Sequence, residues 1–92
     1  MAANWTFLSN HGHVLVCLAL DSEMRLRDVA ARVGITERAV QTIVGDLEEA
    51  GYVAKSRNGR RNSYTVSQAG RFRHDLERQV RVGDFLDLLA ER

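Results

Sequence analysis

Proline is absent from this sequence and cysteine occurs once, at Cys17. Without proline, the loops have to be turned by glycine and asparagine, and they should be short. A lone cysteine cannot close an internal disulfide. Cys17 lies inside the apolar run 14–20, which suits a reducing compartment and supplies no redox pair. Long hydrophobic runs are also missing: the run around Cys17 is the longest, far below the roughly 20 residues that a membrane-spanning helix needs. The N-terminus shows no basic segment leading into an apolar signal core. A cytoplasmic protein with no membrane partner is therefore expected.

What is present describes one folded domain over 1–92. The chain has 92 residues, 45% hydrophobic and 27% charged, too short for two independent cores and too apolar for disorder. The formal net charge of +1 conceals an uneven distribution. Between Ala50 and His74 the charged residues are Lys55, Arg57, Arg60, Arg61, Arg71 and Arg73, and every Asp and Glu lies outside that window. Clustered cations on a nearly neutral chain suit a polyanion partner, although a solvated hairpin with ordinary surface arginines has the same composition.

Periodicity orders the elements. Ser9 and Asn10 are good N-caps for a buried helix running to Leu20, with a strand as the competing assignment for so short a run. Leu26, Val29, Ala30 and Val33 then recur at i, i+3, i+4 and i+7, and Gly34 stops this second helix. Thr36 caps a third, with Val40, Ile43, Val44, Leu47 and Ala50 facing inward and Gly51 just past its end. Beyond Gly51 the strand formers Tyr52, Val53, Tyr64, Thr65 and Val66 flank the turn-prone Arg57-Asn58-Gly59-Arg60, which predicts a β-hairpin. Ser67 should cap a fourth helix with Ala69, Phe72, Leu76 and Val80 on its apolar side. A last short helix groups Val82, Phe85, Leu86 and Leu89. That terminal apolar face needs a partner, either Trp5, Phe7 and Leu8 of the same chain or a second protomer.

The second and third helices carry the spacing of a helix-turn-helix: a small residue at the fifth position (Ala30), glycine at the ninth (Gly34) and an apolar anchor at the fifteenth (Val40). Ala30 lets the helices approach, and a Cβ at Gly34 would be strained if φ is positive. These residues free the opposite face of the third helix, namely Thr36, Glu37, Arg38, Gln41, Thr42 and Gly45. Arg38 could pair with guanine and Gln41 with adenine in a major groove, the threonines offer hydroxyls, and Gly45 permits close backbone approach. Glu37, Asp46, Glu48 and Glu49 make the helix acidic overall. A winged-helix module that binds another protein is the alternative.

The order of elements, with Gly34-Ile35-Thr36, Leu47-Glu48-Glu49-Ala50-Gly51-Tyr52-Val53 and Tyr64-Thr65-Val66-Ser67-Gln68-Ala69-Gly70-Arg71, resembles the winged-helix domain of MarR-type regulators. Thr6-Phe7-Leu8, Asn10-His11, Ile35-Thr36-Glu37-Arg38-Ala39, Gly59-Arg60-Arg61-Asn62, Tyr64 and Val82-Gly83-Asp84 are similar to a group of small stand-alone winged-helix regulators. The resemblance implies an α+β, mostly α fold: a three-helix core, a helix-turn-helix at about 27–50, a wing at about 52–66, and C-terminal helices at about 68–91. It also implies a sequence-specific protein of double-stranded DNA. Its third helix would enter the major groove, while Lys55, Arg57, Asn58, Arg60 and Arg61 of the wing lie on phosphates or in the minor groove. Larger MarR proteins dimerise and form an effector pocket with an N-terminal helix, and only about a dozen residues precede the first apolar run here. Dimerisation would rest on residues 67–90 with the Trp5 segment.

Other chemistry is weakly represented. His13, Cys17 and Asp21 share a helical face at i, i+4, i+8, but structural zinc takes four ligands and no second Cys or His pair follows. His74, Asp75 and Glu77 come with no nucleophile motif or phosphate loop. Neither an enzyme nor a metal or cofactor is expected.

Overall fold

The structure, a computed structural model, describes residues 4–89. Helix α1 (Asn10–Leu20) begins where the Ser9 hydroxyl accepts the Gly12 N–H at 3.3 Å. It buries Val14, Leu15, Cys17 and Leu18 and forms the centre of the core. The helical assignment of this apolar run thus prevails over the strand. Helix α2 (Leu26–Val33) lays Val29 and Ala30 against it, and Gly34 ends α2 in the left-handed region at φ 90°. A side chain there would be strained, so the tight turn depends on glycine.

Helix α3 (Glu37–Glu49) starts at Thr36, whose Oγ1 accepts the Ala39 N–H at 3.0 Å. It buries Val40, Ile43, Val44 and Leu47. Ala50, expected on the inner side, is exposed and forms the C-cap, because the chain leaves the helix there to reach Gly51. Strands β1 (Val53–Asn58) and β2 (Arg61–Val66) then pair antiparallel, with Val53 opposite Val66 and Asn58 opposite Arg61. Val53 and Tyr64 anchor the base of the hairpin in the core. Burial of such apolar side chains contributes about 1.5 to 3 kcal/mol for each large aliphatic residue. These elements make the winged helix-turn-helix architecture.

Of the two C-terminal helices expected, only the second forms, as α4 (Val82–Leu89). The helix expected from Ser67 to Val80 is absent; that stretch is irregular apart from a 3-10 turn at Asp75–Glu77 and an isolated antiparallel bridge from Arg71 to Arg81. Tertiary partners take the backbone groups that a helix would use. The Ser67 N–H donates to the Tyr52 carbonyl, and the carbonyls of Gln68 and Gly70 accept the N–H groups of Gly83 and Val82 at 3.0 and 2.8 Å. Gly70 lies so close to the Tyr52 ring that a Cβ there would meet it at 3.0 Å. The Tyr52 hydroxyl donates to the Arg71 carbonyl. Of the apolar side chains at helical spacing, Phe72 and Val80 are half-buried, whereas Leu76 is 80% exposed.

Helix α4 packs Val82 and Leu86 into the core, and Phe85 meets Phe72 edge to face at 5.1 Å. Trp5 and Phe7 meet one another edge to face at 5.3 Å and remain 67% and 93% exposed. Leu8 packs against Gly12 of α1, and with Phe7 it borders a depression that Val82 and Phe85 of α4 also line.

Candidate nucleic-acid interface

The capped start of α3 sets the direction of its polar face. Arg38, Gln41, Thr42 and Gly45 are all exposed and fall on successive turns of one side, with Glu37 beside them in the first turn. Their roles differ in hydrogen-bonding capacity. The Thr36 oxygen is occupied by the Ala39 N–H, which leaves its O–H free to donate. The Thr42 hydroxyl donates to the Arg38 carbonyl at 3.3 Å, so Thr42 offers an acceptor and a methyl group outward. Nothing lies within 4 Å of where a Cβ on Gly45 would stand. Intramolecular packing therefore gives no reason for glycine at an exposed helix-interior position, where it costs about 1 kcal/mol relative to alanine.

The wing turns through Gly59 and Arg60, since Asn58 pairs with Arg61. Gly59 has φ 67° and no non-glycine residue among those described has positive φ, the sign pattern of a type II′ hairpin turn. Register separates the basic residues. Arg57 pairs with Asn62, and Lys55 with Tyr64, on one face of the ribbon; Arg61 and Asn58 share the other. Arg57 Nε donates to the Gly59 carbonyl at 3.2 Å, bracing the tip. Arg61 Nη2 donates to the Glu23 carbonyl at 3.3 Å. Close by, the Tyr64 N–H donates to the Ser22 carbonyl at 2.8 Å, so β2 is tied to the α1–α2 connection at two points.

The fold brings the third-helix residues together, but it divides the wing residues. Arg60, Arg61 and Asn62 line a cleft of about 540 Å³ whose other walls are Met24, Arg25, Leu26, Glu37 and Tyr64. Arg25 precedes α2 at its N-cap position and makes no side-chain capping bond. No sequence pattern singled it out, because an arginine at that position has no local signature. Outside the cleft, Arg71 Nη1 donates to the Gln79 carbonyl at 3.1 Å, and Arg73 borders a separate depression with His11 and Asp46.

The acidic residues of α3 also have distinct places. Asp46 Oδ2 lies 2.9 Å from His11 Nε2 of α1. Glu48 is half-buried and faces Tyr64, whose phenol is pushed up by burial first and by the Glu48 charge second, with Asn62 opposing. Burial likewise pushes the Cys17 thiol up, with Arg32 opposing. Among the described residues, no three His, Cys, Asp or Glu side chains gather as metal ligands, and no helix is long and apolar enough to cross a membrane.

A capped helix α3 with an open polar face, preceded by α2 across a tight glycine turn and followed by a hairpin, is the arrangement of a winged helix-turn-helix. The chain belongs to the winged helix-turn-helix DNA-binding family, whose profile matches residues 9–54. Several solved MarR-family structures share its fold. The PcaV transcriptional regulator from Streptomyces coelicolor, in complex with its natural ligand, superposes over 97% of this chain and 64% of its own, with TM-score 0.58 and 22% identity. The zinc-responsive MarR family member ZitR of Lactococcus lactis covers 72% of this chain and 47% of its own, with TM-score 0.56 and 22% identity. A Mycobacterium tuberculosis MarR family protein in complex with salicylic acid covers 65% and 47%, with TM-score 0.51 and 26% identity. The chain thus spans about half to two thirds of the length of these relatives. No curated protein matches it in sequence.

Proposed function

We propose that this chain is a sequence-specific double-stranded DNA-binding protein that regulates transcription, acting as one winged-helix domain in the cytoplasm. The observation that carries the proposal is the exposed face of α3, where Arg38, Gln41 and Thr42 surround a glycine with open space around it. That face suits a major groove: Arg38 and Gln41 can each pair with a base edge, and Gly45 lets the helix backbone approach closely. The Thr36 hydroxyl and the first N–H groups of α3 suit a phosphate. Lys55, Arg57, Asn58, Arg60 and Arg61 belong to the wing that would lie along the backbone or minor groove, with Arg60 at its tip. Titration of the protein into labelled duplex, with Arg38→Ala and Gln41→Ala beside it, tests the assignment. Each substitution should relax base preference at one position, with about 1 to 3 kcal/mol at stake per bidentate contact. Equal preference before and after both changes would remove α3 as the reading element.

A homodimer completes the proposal. Leu88 is 79% exposed and Leu89 48% on α4, and Leu20 is 54% exposed at the end of α1. Trp5 and Phe7 add further uncovered apolar area. Such area is more than isolated exposed side chains require, and a second protomer bringing the same segments would bury it. Leu88→Glu should then shift the mass in solution from dimer to monomer, and a monomeric wild type would exclude this part.

The acidic residues favour a second reading, a protein-binding module. Asp46 and Glu49 are exposed on α3. A partner captured through that helix, together with duplex binding blind to sequence, would support it instead.

A further inference from the structure

The cleft between the wing and the two helix starts has a composition that the major-groove assignment leaves unused. Its walls carry three guanidinium groups, those of Arg25, Arg60 and Arg61, against one carboxylate, Glu37. The three arginines are not equivalent. Arg61 is bonded to the Glu23 carbonyl. Among the described residues the guanidinium groups of Arg25 and Arg60 make no hydrogen bond or ion pair, and both residues are exposed. The two sides that bear them come from distant parts of the chain, the start of α2 and the tip of the wing. Their spacing is held by the bonds from Arg61 to Glu23 and from Tyr64 to Ser22. A polyanionic strand is the ligand for which a groove with unpaired cations on both walls is suited, because each phosphate neutralised releases condensed counterions.

The geometry points to this cleft as the seat of a stretch of DNA sugar-phosphate backbone, in which Arg25 and Arg60 each neutralise a phosphate and Arg61 is the strut that holds the wing at the required distance. This rests on the DNA-binding proposal and adds Arg25 to its contacts. It also takes Arg61, grouped by sequence with the phosphate ligands, out of contact with the nucleic acid. Arg61 is thus a positioning residue.

The test is the salt dependence of binding to a mixed-sequence duplex, with wild type, Arg25→Ala, Arg60→Ala, Arg61→Gln and Arg61→Lys titrated between about 50 and 200 mM salt. Arg25→Ala and Arg60→Ala should each flatten the slope of log K against log salt by about 0.9. Arg61→Gln loses the charge but keeps an N–H donor for the Glu23 carbonyl, so its slope should equal that of wild type. Arg61→Lys keeps both the charge and an N–H donor for that carbonyl, so its slope and its affinity should equal those of wild type. Wild-type slopes for Arg25→Ala and Arg60→Ala would overturn the cleft as a backbone seat while leaving duplex binding intact. A flattened slope for Arg61→Gln would overturn the strut. Absence of duplex binding by wild type would overturn the DNA-binding proposal, and this inference with it.

Discussion

His11 Nε2 lies 2.9 Å from Asp46 Oδ2, which joins the first turn of α1 to the third turn of α3. Both side chains are about half exposed, at 49% and 55%. The pair therefore adds only about 0 to 1 kcal/mol to stability. Its effect on an approaching phosphate is larger in consequence, because Asp46 follows Gly45 on the helix that would enter the groove. Asp46→Asn should tighten binding to every duplex, and His11→Ala should weaken it. The double variant should bind like Asp46→Asn alone, since His11 acts through the carboxylate. Affinities of the four proteins on one duplex check this, and additive effects would contradict it.

Gly45 separates stability from binding. A Cβ at that position meets nothing within 4 Å. Gly45→Ala should raise the unfolding free energy by about 1 kcal/mol, the helix-propensity difference, and at the same time weaken duplex binding by crowding the closest approach of the backbone. Urea denaturation and a binding titration on the same preparation measure both. A variant that is more stable and binds as well as wild type would contradict the role given to Gly45.

Thr36 serves the fold through its oxygen and can serve DNA through its proton. Thr36→Ala should cost about 1 kcal/mol of stability through loss of the N-cap, while Thr36→Ser should retain both stability and affinity. Denaturant midpoints for the two variants distinguish a capping hydroxyl from an unneeded one.

Rising alkaline pH should lower the stability of the fold progressively. Burial holds the Cys17 thiol above its ordinary 9.0 and the Tyr64 phenol above its ordinary 10.0. Each group is more readily deprotonated in the unfolded chain. In that range the unfolded state binds fewer protons than the folded one, and stability falls as pH rises. Their contribution is intact below the unfolded values and is lost upward through the raised folded values. Cys17→Ala should remove the earlier part of this decline. An unfolding free energy that stays flat from neutral pH through the phenol range would contradict the burial of both groups.

The helix-turn-helix was legible because its signals are local: the i, i+3, i+4 spacing of Leu26, Val29 and Ala30 and again of Val40, Ile43 and Val44, the cap at Thr36 and the stop at Gly34. The wing could be located for the same reason. What the sequence could not show was determined by contacts between distant segments. The spacing of Ala69, Phe72, Leu76 and Val80 suits a helix, but Gly70 packs on Tyr52 and the nearby carbonyls bond to the start of α4. Charge counting placed Arg57, Arg60 and Arg61 together, whereas strand register puts Arg57 and Arg61 on opposite faces. Arg25 carried no local signature, and nothing local paired His11 with Asp46; both matter because of what the fold brings opposite them, the wing tip and Asp46.

Selection of bound sites from a pool of random duplexes tests the central claim most directly, since it reads binding, base preference and half-site symmetry together. The account predicts recovery of a defined motif, present as two half-sites if the protein binds as a homodimer, with Gln41→Ala losing preference at one position of each half-site. Recovery of duplexes with no shared motif, bound only in proportion to charge, would contradict it.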